Sequence, residues 1–260
     1  MKNFKKFIPL VLLLVVISCK KDTKDPEPEP EPAQVATTNS IKILFEHNVD
    51  TIPLVLNQSY RNPMLDTFKV SGRKYYISNI VITKNDNSTY VEPNSYHLID
   101  VSNLSTTSIT IPDLPFTSYK ALSFTLGVDS ARNCSGAQDG DLAQSKGMFW
   151  TWSSGYIMFK LEGSSPVSGA SNKSLTYHIG GFGGANKVQR NFNFNFASTP
   201  ANVSASVSPI IHMSVDVNEF FKTPAIINFA TQHTQMATGA TAKMYADNYA
   251  DMIEFEHVHN

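Results

Sequence analysis

Asn191-Phe192-Asn193-Phe194-Asn195-Phe196 alternates a polar amide with an aromatic ring. In an extended chain successive side chains point to opposite faces, so the phenylalanines share one face and the asparagines the other. A helix would scatter both sets around its circumference, so the run reads as a strand with one face on a core. The same period of two returns along the chain. Ile41, Ile43 and Phe45 alternate with Lys42, Leu44 and Glu46, and Leu122, Phe124, Leu126 and Val128 with small or polar partners. Ile211, Met213, Val215 and Val217 repeat it, and Tyr75 to Ile82 and Tyr96 to Val101 are rich in β-forming residues. Asn85-Asp86-Asn87 and Pro112-Asp113 punctuate as turns. Helical signals are confined to Val217 to Phe221 and Ala237 to Tyr249. Short strands with little helix predict an all-β, sandwich-like domain with one or two short helices near the C-terminus.

Upstream of that strand lies Gly147 to Gly163, GMFWTWSSGYIMFKLEG, followed after a polar loop by Tyr177-His178-Ile179-Gly180-Gly181. Both tryptophans of the chain, Trp150 and Trp152, fall here beside glycines that permit close approach of another backbone or a ligand. Met148, Trp150 and Trp152 share parity, so a strand would turn them to one side. Such a pair of indoles is either a core anchor or a built site.

The N-terminal residues carry a different signal. Met1 to Lys6 is basic, Phe7 to Ile17 is apolar, and Val16-Ile17-Ser18-Cys19 has the form of a lipobox. This predicts a lipoprotein signal peptide over 1–18, too short to span a bilayer as a helix, with Cys19 lipidated. Lipid chains on one cysteine bury enough methylene groups for stable anchoring. Residues 19–39 include Asp25-Pro26-Glu27-Pro28-Glu29-Pro30-Glu31-Pro32, an acidic, proline-rich linker that holds itself extended. The expected domain is 40–260, exported and tethered to the membrane through Cys19.

Composition narrows the function. The formal net charge is −1 and the basic residues do not cluster, so no nucleic-acid partner is expected. With Cys19 taken by lipid, Cys134 is the other cysteine, so no intramolecular disulfide is expected. No nucleophile elbow, zinc-protease motif or phosphate-cradling loop is present, and the prediction is a protein that is not an enzyme. The aspartates of Asp129 to Asp141 form an oxygen-rich loop without calcium-loop spacing, which favours capping and turn roles. Seven histidines remain. Imidazole suits copper, zinc and nickel. His47 is in phase with Ile41, Ile43 and Phe45. His257 and His259 form a His-x-His pair in phase with Ile253 and Phe255, a spacing that can chelate or lie as plain surface. If the first and last strands pair, His47 comes near His257 or His259. His178 is out of phase with Leu175, Tyr177 and Ile179 and precedes a glycine-rich run.

Several words of this sequence, in order, form a larger pattern. They are Phe45-Glu46-His47, Lys74-Tyr75-Tyr76-Ile77-Ser78-Asn79-Ile80, Tyr96-His97-Leu98-Ile99-Asp100, the GMFWTWSSGY stretch with its Tyr-His-Ile-Gly-Gly turn, and Tyr245 to Met252. The chain resembles the copper-binding MbnP-like family of exported bacterial proteins over roughly Ser40 to Asn260. The resemblance implies one copper ion held by two histidines and a tryptophan oxidised to kynurenine, the oxidation performed by a haem peroxidase-type partner. It places His47 or His178 with Trp150 or Trp152 as candidate ligands. Unlike one branch of the family, this chain lacks paired cysteines.

The expected function is therefore a lipid-anchored protein of the bacterial cell envelope, at the outer membrane on its periplasmic or surface side, that binds copper without catalysis. The alternative is a carbohydrate-binding or adhesion sandwich in which Trp150, Trp152, Tyr75 and Tyr76 form an exposed aromatic platform. The direction of those rings separates the two.

Overall fold

Strand β1 (Ile41–Val49) opens the domain in a computed structural model that describes residues 39–136, 138–151 and 153–260. The residues read as signal peptide and linker (1–38, with Cys19) and Trp152 lie outside the described residues. After β1 come β2 (Ile52–Pro53), β3 (Ser59–Arg61) and the long β4 (Thr67–Lys84). Next are β5 (Thr89–Val91), β6 (Tyr96–Asp100), β7 (Ser108–Ile111), β8 (Ser118–Leu126) and helix α1 (Ser130–Asn133). β9 (Phe149–Thr151), β10 (Gly155–Ser164), β11 (Ser174–Gly180), β12 (Arg190–Asn195), β13 (Ala201–Asn202) and β14 (Ile210–Asp216) follow. Helix α2 (Glu219–Lys222), β15 (Thr234–Gln235), α3 (Ala240–Asn248) and β16 (Ile253–His259) complete the order.

The strands form two sheets, as the alternating patterns require. A small sheet runs β16-β14-β1-β2, with β7 also on β1; a large sheet runs β12-β8-β4-β10-β11-β15, with β3, β5, β6, β9 and β13 as side strands. The inner faces meet through aromatic rings. Phe45 of β1 lies 6.4 Å from Tyr75 of β4 and 5.9 Å from Phe124 of β8, edge to face. Each such ring contributes about 1.5–3 kcal/mol of burial. The Asn-Phe alternation is β12: Phe192 is buried, Asn191, Asn193 and Asn195 are exposed, and Phe194 is half-buried at the sheet edge. The two expected helical stretches become α2 and α3. The latter begins after Gly239, whose φ of 116° is left-handed backbone that a side chain disfavours.

One expectation is corrected. The first and last strands do not pair: β1 runs parallel to β14, Ile43 opposite Ile211, and β16 lies on the far side of β14. Burial explains the order. Ile41, Ile43, Phe45, Ile211, Met213 and Val215 are all buried, so β1 and β14 belong beside each other over the core. In β16 only Ile253 is fully buried, and that strand takes the edge.

Candidate functional site

β10 and β11 build the region that the tryptophan stretch marked. Tyr75, Phe159 and Ile179 stand in one cross-strand row on the inner face of the large sheet; Lys74, Lys160 and His178 stand in the next row, on the outer face. His178 is nevertheless buried, and Glu162, two residues along β10 from its partner Lys160, reaches it: Nε2 meets the Glu162 carboxylate at 2.8 Å. Lys160 Nζ approaches the same carboxylate oxygen at 3.2 Å. Burial lowers the His178 pKa, and the opposing pull of Glu162 does not restore it. Burial works against the Glu162 charge too, but hydrogen bonds from His178 and Lys160 hold its carboxyl below the ordinary range. At neutral pH the imidazole is therefore neutral. A carboxylate only accepts, so Nε2 carries the proton and Nδ1 keeps its lone pair.

Trp150 reaches the same face of β11. Gly180 lies two residues beyond His178, and a Cβ placed on it would stand 2.6 Å from Cζ3 of Trp150 and 2.9 Å from the Tyr156 carbonyl oxygen. Residues i and i+2 of a strand share a face. The indole therefore covers the sheet one step along from His178, and only glycine leaves it room. The hairpin that carries Trp150 is pinned from α1: buried Asn133 accepts from Tyr156 N–H at 2.9 Å and donates to the Val128 and Asp129 carbonyls. Beside it opens a cleft of about 310 Å³ lined by residues that include Ser153, Ser154, Gly181, Phe182 and Asn186. Asp129 caps α1 through the Arg132 N–H, the capping role expected, whereas Asp141 accepts from the Leu98 N–H of β6 and ties this loop to the sheet.

His47 is placed elsewhere. It points from β1 into the space between the sheets, where Nε2 lies 2.9 Å from the Tyr75 hydroxyl. Beside it the fully buried Arg73 stacks its guanidinium over Tyr75 and Phe159, 5.2 and 5.4 Å from the ring centroids. Arg73 Nη2 contacts the Met252 sulfur at 3.2 Å; Nε and Nη1 have no hydrogen-bond partner among the described residues. Burial, then the Arg73 charge, hold the His47 pKa well below its ordinary value, and burial lowers Arg73 to about 10. His47 and His178 thus lie on opposite faces of the large sheet and do not meet at one centre. His257 and His259 lie on the exposed face of the small sheet, opposite His212 and Ile210, so neither approaches His47. Among the described residues no three His, Cys, Asp or Glu side chains converge to hold a metal as they stand.

The aromatic platform loses two of its four rings, because Tyr75 and Tyr76 are wholly buried. Glu162, Arg73 and the Glu46–His212 contact were not singled out from sequence. Glu162 alone left a trace, as a charge in an otherwise apolar strand on the same parity as Lys160.

Comparison with known proteins fits this geometry into a family. The MbnP family profile matches residues 38–241. The chain belongs to the MbnP family. The solved structure of MbnP from Methylosinus trichosporium has the same fold, with a TM-score of 0.54 at 11% identity, covering 75% of this chain and 83% of that one. No curated protein matches the chain. The MbnP match spans β1 through the first two residues of α3, so it includes Trp150, His178 and Glu162.

Proposed function

We propose that this MbnP-family chain is a lipid-anchored envelope protein that binds copper without catalysis, with His178 as a ligand and Trp150 as its neighbour in the site. The observation that carries the reading is the neutral His178, oriented by Glu162 on the face of β11 that Trp150 covers. The donor chemistry fits: an imidazole with one nitrogen held by a carboxylate presents the other as a ligand of raised basicity. Copper bound there supplies a redox-active centre, and Trp150 and Glu162 shape its surroundings. Trp150 is the candidate for oxidation to kynurenine by a haem peroxidase-type partner, and Trp152 is the alternative. Lipid on Cys19 tethers the domain, and the linker spaces it from the outer membrane.

The test is metal analysis with peptide mass on protein from its native host. The expectation is about one copper per chain, with a gain of about 4 Da on the Trp150 peptide where the indole has lost carbon and gained oxygen. His178→Ala should weaken copper binding at least tenfold and leave the fold intact. Unchanged copper affinity in that variant would remove His178 from the site.

A further inference from the structure

The outer face of the small sheet gathers imidazoles that the site above does not use. His212 of β14 stands directly opposite His257 of β16, with ring centroids 4.2 Å apart and planes 14° from parallel. Glu46 reaches across from β1, and its carboxylate meets His212 Nδ1 at 2.7 Å. The register of β16 steps between the pairs of His212 and Met213, which adds Glu256 as an extra residue and turns His257 onto this outer face. His259, two residues on, returns to the same face opposite Ile210. Glu46, Glu254, Glu256, His257 and His259 are exposed, so no core packing accounts for their grouping.

The chemistry of the cluster is that of a ligand set. A carboxylate only accepts, so the Glu46 contact favours the tautomer with its proton on Nδ1 and leaves Nε2 as the ligating nitrogen, the carboxylate–histidine–metal arrangement that orients and strengthens an imidazole ligand. Directly opposed residues on neighbouring antiparallel strands have Cβ atoms about 5 Å apart. Two nitrogen ligands on one tetrahedral ion need to be about 3.3 Å apart. The terminal torsion of histidine is broad, so the His257 ring is free to turn its nitrogens toward Nε2 of His212. The carboxylates of Glu46, Glu254 and Glu256 make the surroundings favourable to a cation.

We propose that His212 and His257, with His259 as third donor, form a second metal site for a borderline divalent ion such as Zn²⁺, and that Glu46 positions His212. The three imidazoles do not converge as they stand, and binding draws His257 and His259 toward His212. This site lies on a different sheet from His178 and stands independently of the copper reading.

The probe is Zn²⁺ alone, titrated into the full chain carrying His178→Ala and followed by calorimetry and by the imidazole C–H signals in NMR. The expected result is one Zn²⁺ per chain, with shifts at His212, His257 and His259. A His212→Ala/His257→Ala pair should lose at least tenfold in affinity with an unchanged thermal midpoint, and Glu46→Gln about tenfold. His257→Gln serves as a second variant with a side chain of similar size. Zn²⁺ affinity unchanged in the double variant, or shifts confined to other histidines, overturns the proposal. Copper affinity unchanged by His178→Ala overturns the preceding reading and leaves this one standing.

Discussion

Acidification should destabilise this domain through His47. The imidazole faces a phenol and a fully buried guanidinium between the sheets, so a proton on it would place a second cation beside Arg73. In the unfolded chain the same histidine has its ordinary pKa of 6.5. Its folded pKa is depressed, so below 6.5 the unfolded state binds a proton that the folded state refuses, and stability falls with pH. The loss can reach 1.36 kcal/mol per pH unit, so moving from about pH 7.5 to about pH 5 removes at most about 2 kcal/mol. That window lies above the carboxylates, whose contributions at Asp100, Asp129 and Asp247 are lost only as pH falls through their own lowered values. His178, also depressed, adds a loss of the same sign. His47→Gln keeps a hydrogen-bonding group opposite Tyr75 and removes the titration. Urea unfolding of the metal-free chain at both pH values measures the difference. The wild type should lose more than the variant on acidification, by up to about 2 kcal/mol. Equal losses in the two proteins, or a wild type more stable at the lower pH, refute the reasoning.

Arg73→Met should be neutral or stabilising by about 1–2 kcal/mol, because it keeps a long apolar stem and removes two donors without partners; the same variant should move the His47 pKa upward in an NMR titration. Arg73→Ala, which leaves the space between Tyr75 and Phe159 unfilled, should cost about 2–5 kcal/mol in denaturant unfolding. Gly180→Ala should cost about 1–3 kcal/mol from overpacking against the indole. In a Trp152→Phe background, where Trp150 is the remaining tryptophan, its fluorescence maximum should shift to longer wavelength as the ring is pushed toward solvent.

Much of this fold is legible at the level of single strands, because burial on one face writes itself as a period of two. Phe192 and Asn193, or Ile43 and Leu44, declare their faces without reference to any partner. Partnership is another matter. Nothing in the spacing of Ile41 to Glu46 says that its neighbour is Ile211 rather than Phe255, since both strands offer the same alternation. The candidate site divides in the same way. The phase of His178 correctly put it off the face of Tyr177 and Ile179, but Glu162 emerges as its partner only once β10 and β11 are in register, bulge included. His257 and His259 keep their parity with each other, but the bulge at Glu256 takes them out of phase with Ile253 and Phe255 and onto the outer face. Arg73 gave no sign, because a cation in a strand reads as an exposed one until the opposing sheet covers it.

The parallel seam of the small sheet also fixes an order of events. Lys42 must meet Ile210 before β1 has that neighbour, so the sheet cannot close until nearly the whole domain is present. The hairpins of the large sheet, β10 with β11 and β4 with β6, join residues much closer along the chain. Loop closure grows as the logarithm of length, and a connection of this span costs roughly 2–3 kcal/mol more than one of about ten residues. Contacts this distant in sequence also slow folding. The hairpins of the large sheet therefore close at a lower entropic cost than the β1–β14 seam, and it is that seam that completes the chamber around His47 and Arg73.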